Sequence, residues 1–432
     1  MRDDIATLAE RAVEAEGEEA REAALALADA WLEDGTELEQ RLARHVTLTE
    51  KFRQAVKPER SDLEMELYHL GEELRVRVPE QLWEGSQYAL RPRFDGNGLI
   101  SGVTTRKGEP WMFDELYLHL DRIAASLGPL FRECLAESHS GKYSRDEVDE
   151  DIAASFFASP HLAWVRTLSA WGNNHGAVPM DGFAVSEHLG RLRSLDLCAN
   201  KLDDDAARGL AGFQFDGVRD LDLHINQIGA EGCAALAGSR LFSGLEELDF
   251  RSNPIGNDGA RALGAAFPPR LSRLNIGRAK IGATGTRRML GKARPELTRV
   301  SMRDNPIRSG GLRWIAEAGH PKLESLTVGS GKVGADGIEA LATTDGLPSL
   351  RHLDLHSNEL GDRGAKALAR WPGLSRLEGL GLASCEIKGP GWKALVDSPH
   401  IGGLKSLHAN ERSANKRDVA FLRKALPDCE IT

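Results

Sequence analysis

The chain is poor in cysteine and has no long apolar run. Its five cysteines are scattered along 432 residues and never stand in C-x-x-C spacing. This usage indicates reduced thiols in a cytosol and argues against a disulfide framework or a zinc site. No run approaches the roughly 18 apolar residues of a membrane-spanning helix. The acidic start MRDDIATLAERAVEAEGEEA also lacks the basic and apolar regions of a secretion signal. We therefore expect a cytoplasmic protein without membrane insertion.

Excess positive charge and catalytic motifs are missing as well. The formal net charge is −10 and the pI is about 5.8, which disfavours general nucleic-acid binding. The sequence has no Walker-type phosphate loop, no G-x-S-x-G elbow, no H-E-x-x-H motif and no kinase motif set. We predict a non-enzymatic protein with no catalytic residue, no cofactor and no small-molecule substrate.

Two D-L-H sequences come nearest to a metal-binding pattern. Asp222 and His224 stand two residues apart, as do Asp354 and His356, so each pair projects from one face of a strand. The two pairs are five repeats apart. At about 4.8 Å per repeat, more than roughly 20 Å would separate them. One metal ion cannot bridge them, and we predict solvated surface residues and no metal site.

The chain does contain a repeated unit. The segment LRSLDLCANKL, from Leu192 to Leu202, returns about every 26 to 27 residues, for example as VRDLDLHINQI and LRHLDLHSNEL. Degenerate copies start at Val165 and Leu404, and together with these the chain contains ten copies of the unit. The alternating leucines predict a short strand with one buried face, and following segments such as GAEGCAALAGS predict a short helix. One such unit cannot bury its own apolar face, so the units must stack in parallel, with strands inside and helices outside.

An asparagine closes the strand in many copies. Such an inward side chain can hydrogen-bond the backbone of neighbouring coils. The asparagines are Asn173, Asn200, Asn226, Asn253, Asn305 and Asn358. Four copies carry Ala279, Gly331, Cys385 and Arg412 instead. Ala279 and Gly331 offer no side-chain partner, so we expect a locally weaker ladder at these two positions.

These residues resemble leucine-rich repeats, specifically the helix-bearing, ribonuclease-inhibitor-like subclass. The resemblance covers roughly residues 160 to 432. It implies an α/β solenoid, a right-handed horseshoe with a parallel inner sheet and outer helices.

A second, shorter resemblance precedes the repeats. Residues 27–35, within ALALADAWLEDGTELE, are similar to a degenerate form of a bacterial repeat-companion domain, with an inserted Ala30. That domain precedes leucine-rich repeats in large-genome bacteria, which implies a bacterial protein.

Three regions are predicted along the chain. Residues 1–86 form a mainly α-helical N-terminal domain, residues 87–160 an irregular α+β cap, and residues 161–432 the leucine-rich repeats with a C-terminal cap. In the cap, two β-like runs around Asp95-Gly96-Asn97-Gly98 predict a hairpin, and residues 112–134 predict a helix. The inward positions expected in the first helices are Ile5, Leu8, Val13, Ala24, Leu27 and Trp31.

The concave face is the candidate site. Side chains that flank the buried leucines of each strand are expected to face solvent there. The candidate partner-binding residues are Trp171, Asp196, Asp222, His224, Asp249, Arg251, Arg303, Asp354 and His356. Asp196, Asp222 and Asp249 form an acidic column that suits a protein partner with exposed basic groups. Trp171 is a side chain of the type that anchors interfaces. Solubility with cross-strand pairing explains the charges equally well, and packing against the cap explains Trp171.

We predict a protein-interaction scaffold that binds a protein partner on this face. Two alternatives remain. Resemblance to Ran GTPase-activating and ribonuclease-inhibitor proteins implies a regulator of a GTPase or an enzyme inhibitor, with Arg251 or Arg303 acting on the partner's active site. The second alternative is an enzyme in residues 1–160, although no catalytic constellation supports it. For Cys198, beside the strand, an inert thiol is the expectation.

Overall fold

The structure is a computed structural model. It describes parts of residues 11–51, strands at 91–94, 100–104 and 133–135, parts of 162–169, and residues 186–214, 217–409 and 416–432. The chain divides into two compact units, residues 1–175 with 185–197 and residues 176–184 with 198–432. The three regions proposed from the sequence stay a prediction.

The first unit contains a helix and a small mixed sheet. The helix is Gly17–Asp34, and Ala24 and Leu27 are buried in it, as predicted. The other expected inward side chains, those of Ile5, Leu8, Val13 and Trp31, lie outside the described residues. The strands are β1 (Arg91–Phe94), β2 (Ile100–Thr104), β3 (Glu133–Leu135), β4 (Thr167–Ser169) and β5 (Ser194–Asp196).

Pairing in this sheet confirms one prediction and corrects another. Strands β1 and β2 pair antiparallel, with an irregularity between Arg93 and Phe94, which confirms the predicted hairpin. Glu133 and Cys134 were expected to end a helix, but they belong to β3, which pairs in parallel with both β2 and β4. The helical expectation is wrong at these two residues because two flanking strands supply ladder hydrogen bonds that a local pattern does not reveal.

The second unit is a repeat solenoid, as predicted. Its parallel strands are β6 (Asp220–Asp222), β7 (Glu247–Asp249), β8 (Arg273–Asn275), β9 (Arg299–Ser301), β10 (Ser325–Thr327), β11 (His352–Asp354), β12 (Gly379–Gly381), β13 (Ser406–His408) and β14 (Glu430–Ile431). Its α-helices are Asp204–Ala211, Ala230–Ala237, Arg240–Ser243, Gly256–Ala265, Ala283–Leu290, Arg308–Ala318, Ala335–Ala342, Gly361–Arg370, Gly389–Val396 and Lys416–Ala425. No helix in the described part of the chain is long and apolar enough to cross a membrane.

The register of the strands builds the core. The middle residues of neighbouring strands are paired, Leu221 with Leu248 and Leu326 with Leu353. These four side chains are all buried. Each coil therefore buries its leucine against the coils on either side, and no coil has a core of its own.

The structural repeat is a pair of coils, a feature that the sequence analysis missed. Side chains of one coil accept the backbone N–H groups at the start of the next coil's helix: Asp204 Oδ1 accepts from Gly229 at 2.7 Å and from Gly232 at 2.9 Å. Asn257, Ser309 and Asp362 accept N–H groups in the same way. From Asp204 onward, each of these residues follows the previous one after 52 or 53 positions, which is the length of two coils. A Cβ on Gly232 would come within 2.6 Å of Asp204 Oδ1, so glycine is required there.

Asparagine side chains join successive coils as predicted. Asn358 Oδ1 accepts the backbone N–H groups of Gly331 and Val333, and its Nδ2 donates to the carbonyl oxygens of Val328 and Leu355. Gly331 therefore has a partner for its N–H although it supplies no side chain. Its carbonyl in turn accepts the N–H of Arg308 at 2.8 Å. The ladder was expected to be weak at Gly331, but the backbone N–H and C=O groups of this residue both have hydrogen-bond partners.

Candidate functional site

The strand face of the second unit is formed by the side chains that flank the buried middle residue of each strand. Asp222 pairs in register with Asp249, and Asp249 with Asn275. The same register continues through Ser301, Thr327 and Asp354. Because neighbouring parallel strands lie about 4.8 Å apart, these side chains form one continuous column. The sequence shows which side chains belong to this column, but it does not show how these side chains contact one another.

Asp222 and His224 form a close pair at one end of this column. His224 Nδ1 lies 2.6 Å from Asp222 Oδ1, and the backbone N–H of His224 donates to the same oxygen at 2.9 Å. The hydrogen bond that the imidazole donates to Asp222 raises the pKa of His224 above its ordinary value, although burial opposes the shift. The imidazole is only 18% exposed. The expectation of a solvated histidine is therefore wrong, because the carboxylate holds the ring against the sheet.

Asp249 is occupied by its own neighbours. Its Oδ2 accepts from Asn275 Nδ2 at 2.9 Å and lies 3.1 Å from Arg251 Nε, and its Oδ1 accepts the backbone N–H of Arg251 at 3.1 Å. Burial, followed by repulsion from Asp222, raises the pKa of Asp249. The carboxylates of Asp222 and Asp249 thus have most of their hydrogen-bond and ion-pair partners within the protein.

Asp222, His224 and Asp249 are also close enough to suggest a cation site. One donor atom from each lies within 4.8 Å of the others. Arg251, however, already places a positive group on Asp249, and the imidazole Nδ1 is held by Asp222. A cation would have to displace both contacts, so we assign these groups to internal pairing.

Asp354 and His356 repeat the pairing farther along the sheet. His356 Nδ1 lies 2.9 Å from Asp354 Oδ1, and the backbone N–H of His356 donates to the same oxygen at 3.0 Å. The ring covers Gly329, where a Cβ would come within 1.9 Å of His356 Cε1. Glycine at this position is therefore what allows the imidazole to lie flat, and this histidine too is mostly covered.

The strand-face cleft is the open part of this surface. It has a volume of about 470 Å³. Four predicted site residues line it: His224, Arg251, Arg303 and Asp354. Ile225, Arg278 and Asp304, which the sequence analysis did not select, line it as well. Much of the remaining wall is polar or small, with Ser252, Asn275, Gly277, Ser301 and Thr327.

The three missed residues occupy one turn position of the repeat, just before the asparagine position. Every one of them has a left-handed backbone, with φ between 53° and 57°. At this turn position the other coils that the structure describes carry alanine or serine, namely Ala199, Ser252, Ser330, Ser357 and Ser384. Aligning the repeats one column farther would have shown Ile225, Arg278 and Asp304 as departures from that norm.

Arg278 and Arg303 converge on Asp304. Their Nε atoms lie 3.0 Å and 3.5 Å from Asp304 Oδ2. Burial opposes ionisation of Asp304, but hydrogen bonds from Arg278 and Ser330 and the charge of Arg303 outweigh it and lower the pKa. Two guanidinium groups therefore share one carboxylate at the surface of the cleft.

The remaining predicted site residues lie elsewhere. Asp196 belongs to the first compact unit and accepts a hydrogen bond from the Ser169 hydroxyl at 2.9 Å. Trp171 lies outside the described residues. Cys198 and Ala383 occupy the position that His224 and Arg251 have in their own coils and were expected to face solvent, but they are 3% and 4% exposed. Not every coil therefore contributes this position to the open surface.

One of three comparisons with known proteins supports the repeat. A family model described as Leucine Rich repeat matches residues 218–237, 245–264 and 346–369. A search of curated proteins found no match. Among solved structures, the chain is similar to one described as "Crystal structure of Rad7 and Elc1 complex in yeast", with 15% identity and a TM-score of 0.40. That similarity covers 72% of this chain and 89% of the other. The matched segments lie within the stacked strand-and-helix coils, and these coils form a leucine-rich repeat solenoid.

Proposed function

We propose that the protein is a non-enzymatic scaffold whose strand face binds a protein partner. The observation that carries this proposal is the strand-face cleft, an open recess of about 470 Å³ lined by arginines and by an exposed isoleucine. Repeat solenoids offer extended surfaces of this kind. The wall is built from coils joined by buried asparagine ladders, so little conformational freedom would be lost on docking.

The described thiols favour a binding protein over a cysteine-dependent enzyme. Burial raises the pKa of Cys233 and of Cys385 to about 12. Both thiols therefore stay protonated at neutral pH, and a protonated thiol is a weak nucleophile. Cys385 instead donates through Sγ to the Leu355 carbonyl at 3.0 Å, in the place where other coils use asparagine.

The finer expectations stay predictions. They include the GTPase-regulating or inhibitor role of Arg251 or Arg303, an enzyme in residues 1–160, a cytoplasmic location and a bacterial origin. Loss of stimulated GTP hydrolysis in Arg251→Ala or Arg303→Ala would support the GTPase role.

Site-specific photocrosslinking tests the proposed face. A benzoylphenylalanine is placed at Ser301, which lines the cleft, and in a control chain at Arg313, which is exposed on the helix Arg308–Ala318. In living cells of the source organism we expect a protein adduct from position 301 and none of the same mass from position 313. The captured protein, once purified, must bind the unmodified chain and compete with crosslinking. Adducts of equal yield from both positions, or from position 313 alone, would refute the assignment of the strand face.

A further inference from the structure

We propose that the strand-face cleft recognises an acidic side chain of the partner, an Asp or Glu that stands next to an apolar residue. This inference rests on the proposed function, because it names the chemistry of the segment that the strand face would bind. It is carried by the exposure of the arginines in the cleft and by the position of Ile225.

The most exposed charges around the cleft are positive. Arg278 and Arg303 share Asp304, and Arg251 lies beside Asp249. These three arginine side chains are 46–69% exposed, whereas the neighbouring carboxylates of Asp222, Asp249, Asp304 and Asp354 are 20–39% exposed. Asp249 is drawn further inward by Asn275. Asp222 and Asp354 are each engaged by the histidine two residues later. A carboxylate of the partner reaches these exposed guanidinium groups and matches their planar shape.

Ile225 supplies the apolar half of the recognition surface. Its side chain is 55% exposed at the cleft. Its φ of 55° is a left-handed conformation that β-branched residues avoid. An exposed isoleucine in a strained conformation contributes little to folding, and such outliers point to a functional contact. We assign it the contact with the apolar neighbour of the acidic residue.

Other occupants fit less well. A phosphate group would bring nearly two negative charges close to the neighbouring aspartates, so it would meet about twice the repulsion that a carboxylate meets. A lysine or arginine of the partner would meet three guanidinium groups, and the carboxylates that could attract it already accept hydrogen bonds within the protein. The basic partner expected from the acidic column is therefore less compatible with the cleft than an acidic one.

Peptide libraries supply the probe. Four heptapeptide libraries carry Leu-Glu, Leu-Gln, Leu-Lys or Leu-phosphoserine at the centre, with uncharged randomised flanks, and are screened against the full chain. We expect the Leu-Glu library to contain the tightest binders, at least about tenfold above Leu-Gln. Raising the salt concentration should weaken this binding, because the attraction is between charges.

Variants then locate the binding. Arg278→Gln with Arg303→Gln should reduce affinity for the selected Leu-Glu peptides by about tenfold or more. Arg261→Gln with Arg313→Gln, which removes two exposed arginines from helices, should leave it unchanged. If the double variant in the cleft does not fold, Arg303→Gln alone keeps the test, because Arg278 still neutralises Asp304. Ile225→Asn should lower affinity several-fold and keep or raise Tm, since asparagine tolerates a left-handed backbone.

The outcomes separate this inference from the proposed function. Preference for Leu-Lys or Leu-phosphoserine, no binder in any library, or equal loss in the helix variants would overturn the acidic recognition. So would an Ile225→Asn chain that loses Tm and keeps its affinity. A strand-face crosslink from Ser301 together with any of these results would leave the scaffold proposal standing and remove only the acidic partner.

Discussion

The side chain of Asn305 hydrogen-bonds the backbone of Ala279, which lies in the preceding coil. Its Oδ1 accepts the N–H of Ala279 at 3.0 Å and that of Ile281 at 2.9 Å, while its Nδ2 donates to the carbonyl oxygens of Ile276 and Met302. Ala279 in turn accepts the N–H of Gly256 through its carbonyl at 2.9 Å. A coil without its own asparagine is thus completed by its neighbour.

Replacing Asn305 with alanine tests this linkage. Asn305→Ala leaves two buried N–H groups and two carbonyl oxygens without the partner they have now, and we expect a loss of about 3 kcal/mol in the free energy of unfolding. Urea denaturation measures the loss, and hydrogen exchange should localise it at Ala279 and Ile281. Asn275→Ala is the control and should lose about 1 kcal/mol or less, because this amide donates to Asp249 on the strand face and accepts only a long contact of 3.5 Å from the Gly277 N–H. Equal losses would contradict a special role for the buried ladder.

The cap that one coil supplies to the next gives a second prediction. Asp204→Ala removes the acceptor of the Gly229 and Gly232 N–H groups. Loss of a helix cap should cost about 1 kcal/mol and should speed hydrogen exchange at these two glycines. Asp205→Ala is a close control, because that carboxylate is exposed and pairs with Arg208 of its own helix. If Asp205→Ala speeds hydrogen exchange at these glycines as much as Asp204→Ala does, the proposed cap is refuted.

His320 predicts a stability change in acid. Burial lowers its pKa to about 4, and the neutral ring accepts the Arg294 N–H through Nδ1 while Nε2 lies 3.2 Å from the Leu290 carbonyl. Between pH 6.5 and pH 4 the unfolded chain binds a proton at this residue that the folded chain does not, so stability must fall as pH falls. The loss is on the order of 3 kcal/mol. Urea titrations across this range measure it.

His320→Gln is the matched variant for that experiment. It cannot take up a proton, so its stability curve should be flatter between pH 6.5 and pH 4 than that of the natural chain. Parallel curves for the two proteins would show that other groups cause the acid sensitivity.

The Asp222–His224 pair predicts the opposite shift. The hydrogen bond that His224 donates to Asp222 raises the pKa of His224. The pair therefore stabilises the fold fully below pH 6.5, and that stabilisation is lost as pH rises through the folded pKa. In an NMR titration, Asp222→Asn should lower the pKa of His224. An unchanged midpoint would mean that the carboxylate does not hold the ring in solution.

The shared core supplies the last prediction. Leu353 pairs in register with Leu326 and Leu380 and is 1% exposed. Leu353→Asp buries a charge between three coils, and we expect a loss above about 4 kcal/mol and unfolding of the adjacent coils. Circular dichroism and limited proteolysis measure it. His352→Asp, an exposed position of the same strand, should stay folded. A folded Leu353→Asp chain with unchanged Tm would contradict the common core.

Much of the architecture is readable in the chain alone. The spacing of Leu221, Leu248 and Leu274 repeats the same buried position in successive coils, and this periodicity implies stacked strands without any knowledge of side-chain contacts. The asparagine positions were readable for the same reason. In a regular repeat each unit contacts only its neighbours, so the packing of one unit against the next defines the architecture.

The alternation of coils and the start of the sheet were not readable in this way. Asp204 acts on the coil that follows it, about 25 residues downstream, and a pattern confined to a single repeat does not reveal that. Glu133 and Cys134 became strand because β2 and β4 lie on either side of them.

The character of the candidate site depended on three-dimensional contacts most of all. In the sequence, Asp222 and Asp249 form an acidic column, but folding pairs them with His224 and Arg251 and leaves the arginines exposed at the cleft. A sequence lists charges, whereas Coulomb interactions depend on distances and on burial. Periodicity therefore reveals which side chains share a face, and only folding establishes which of their charges cancel and which remain for a partner.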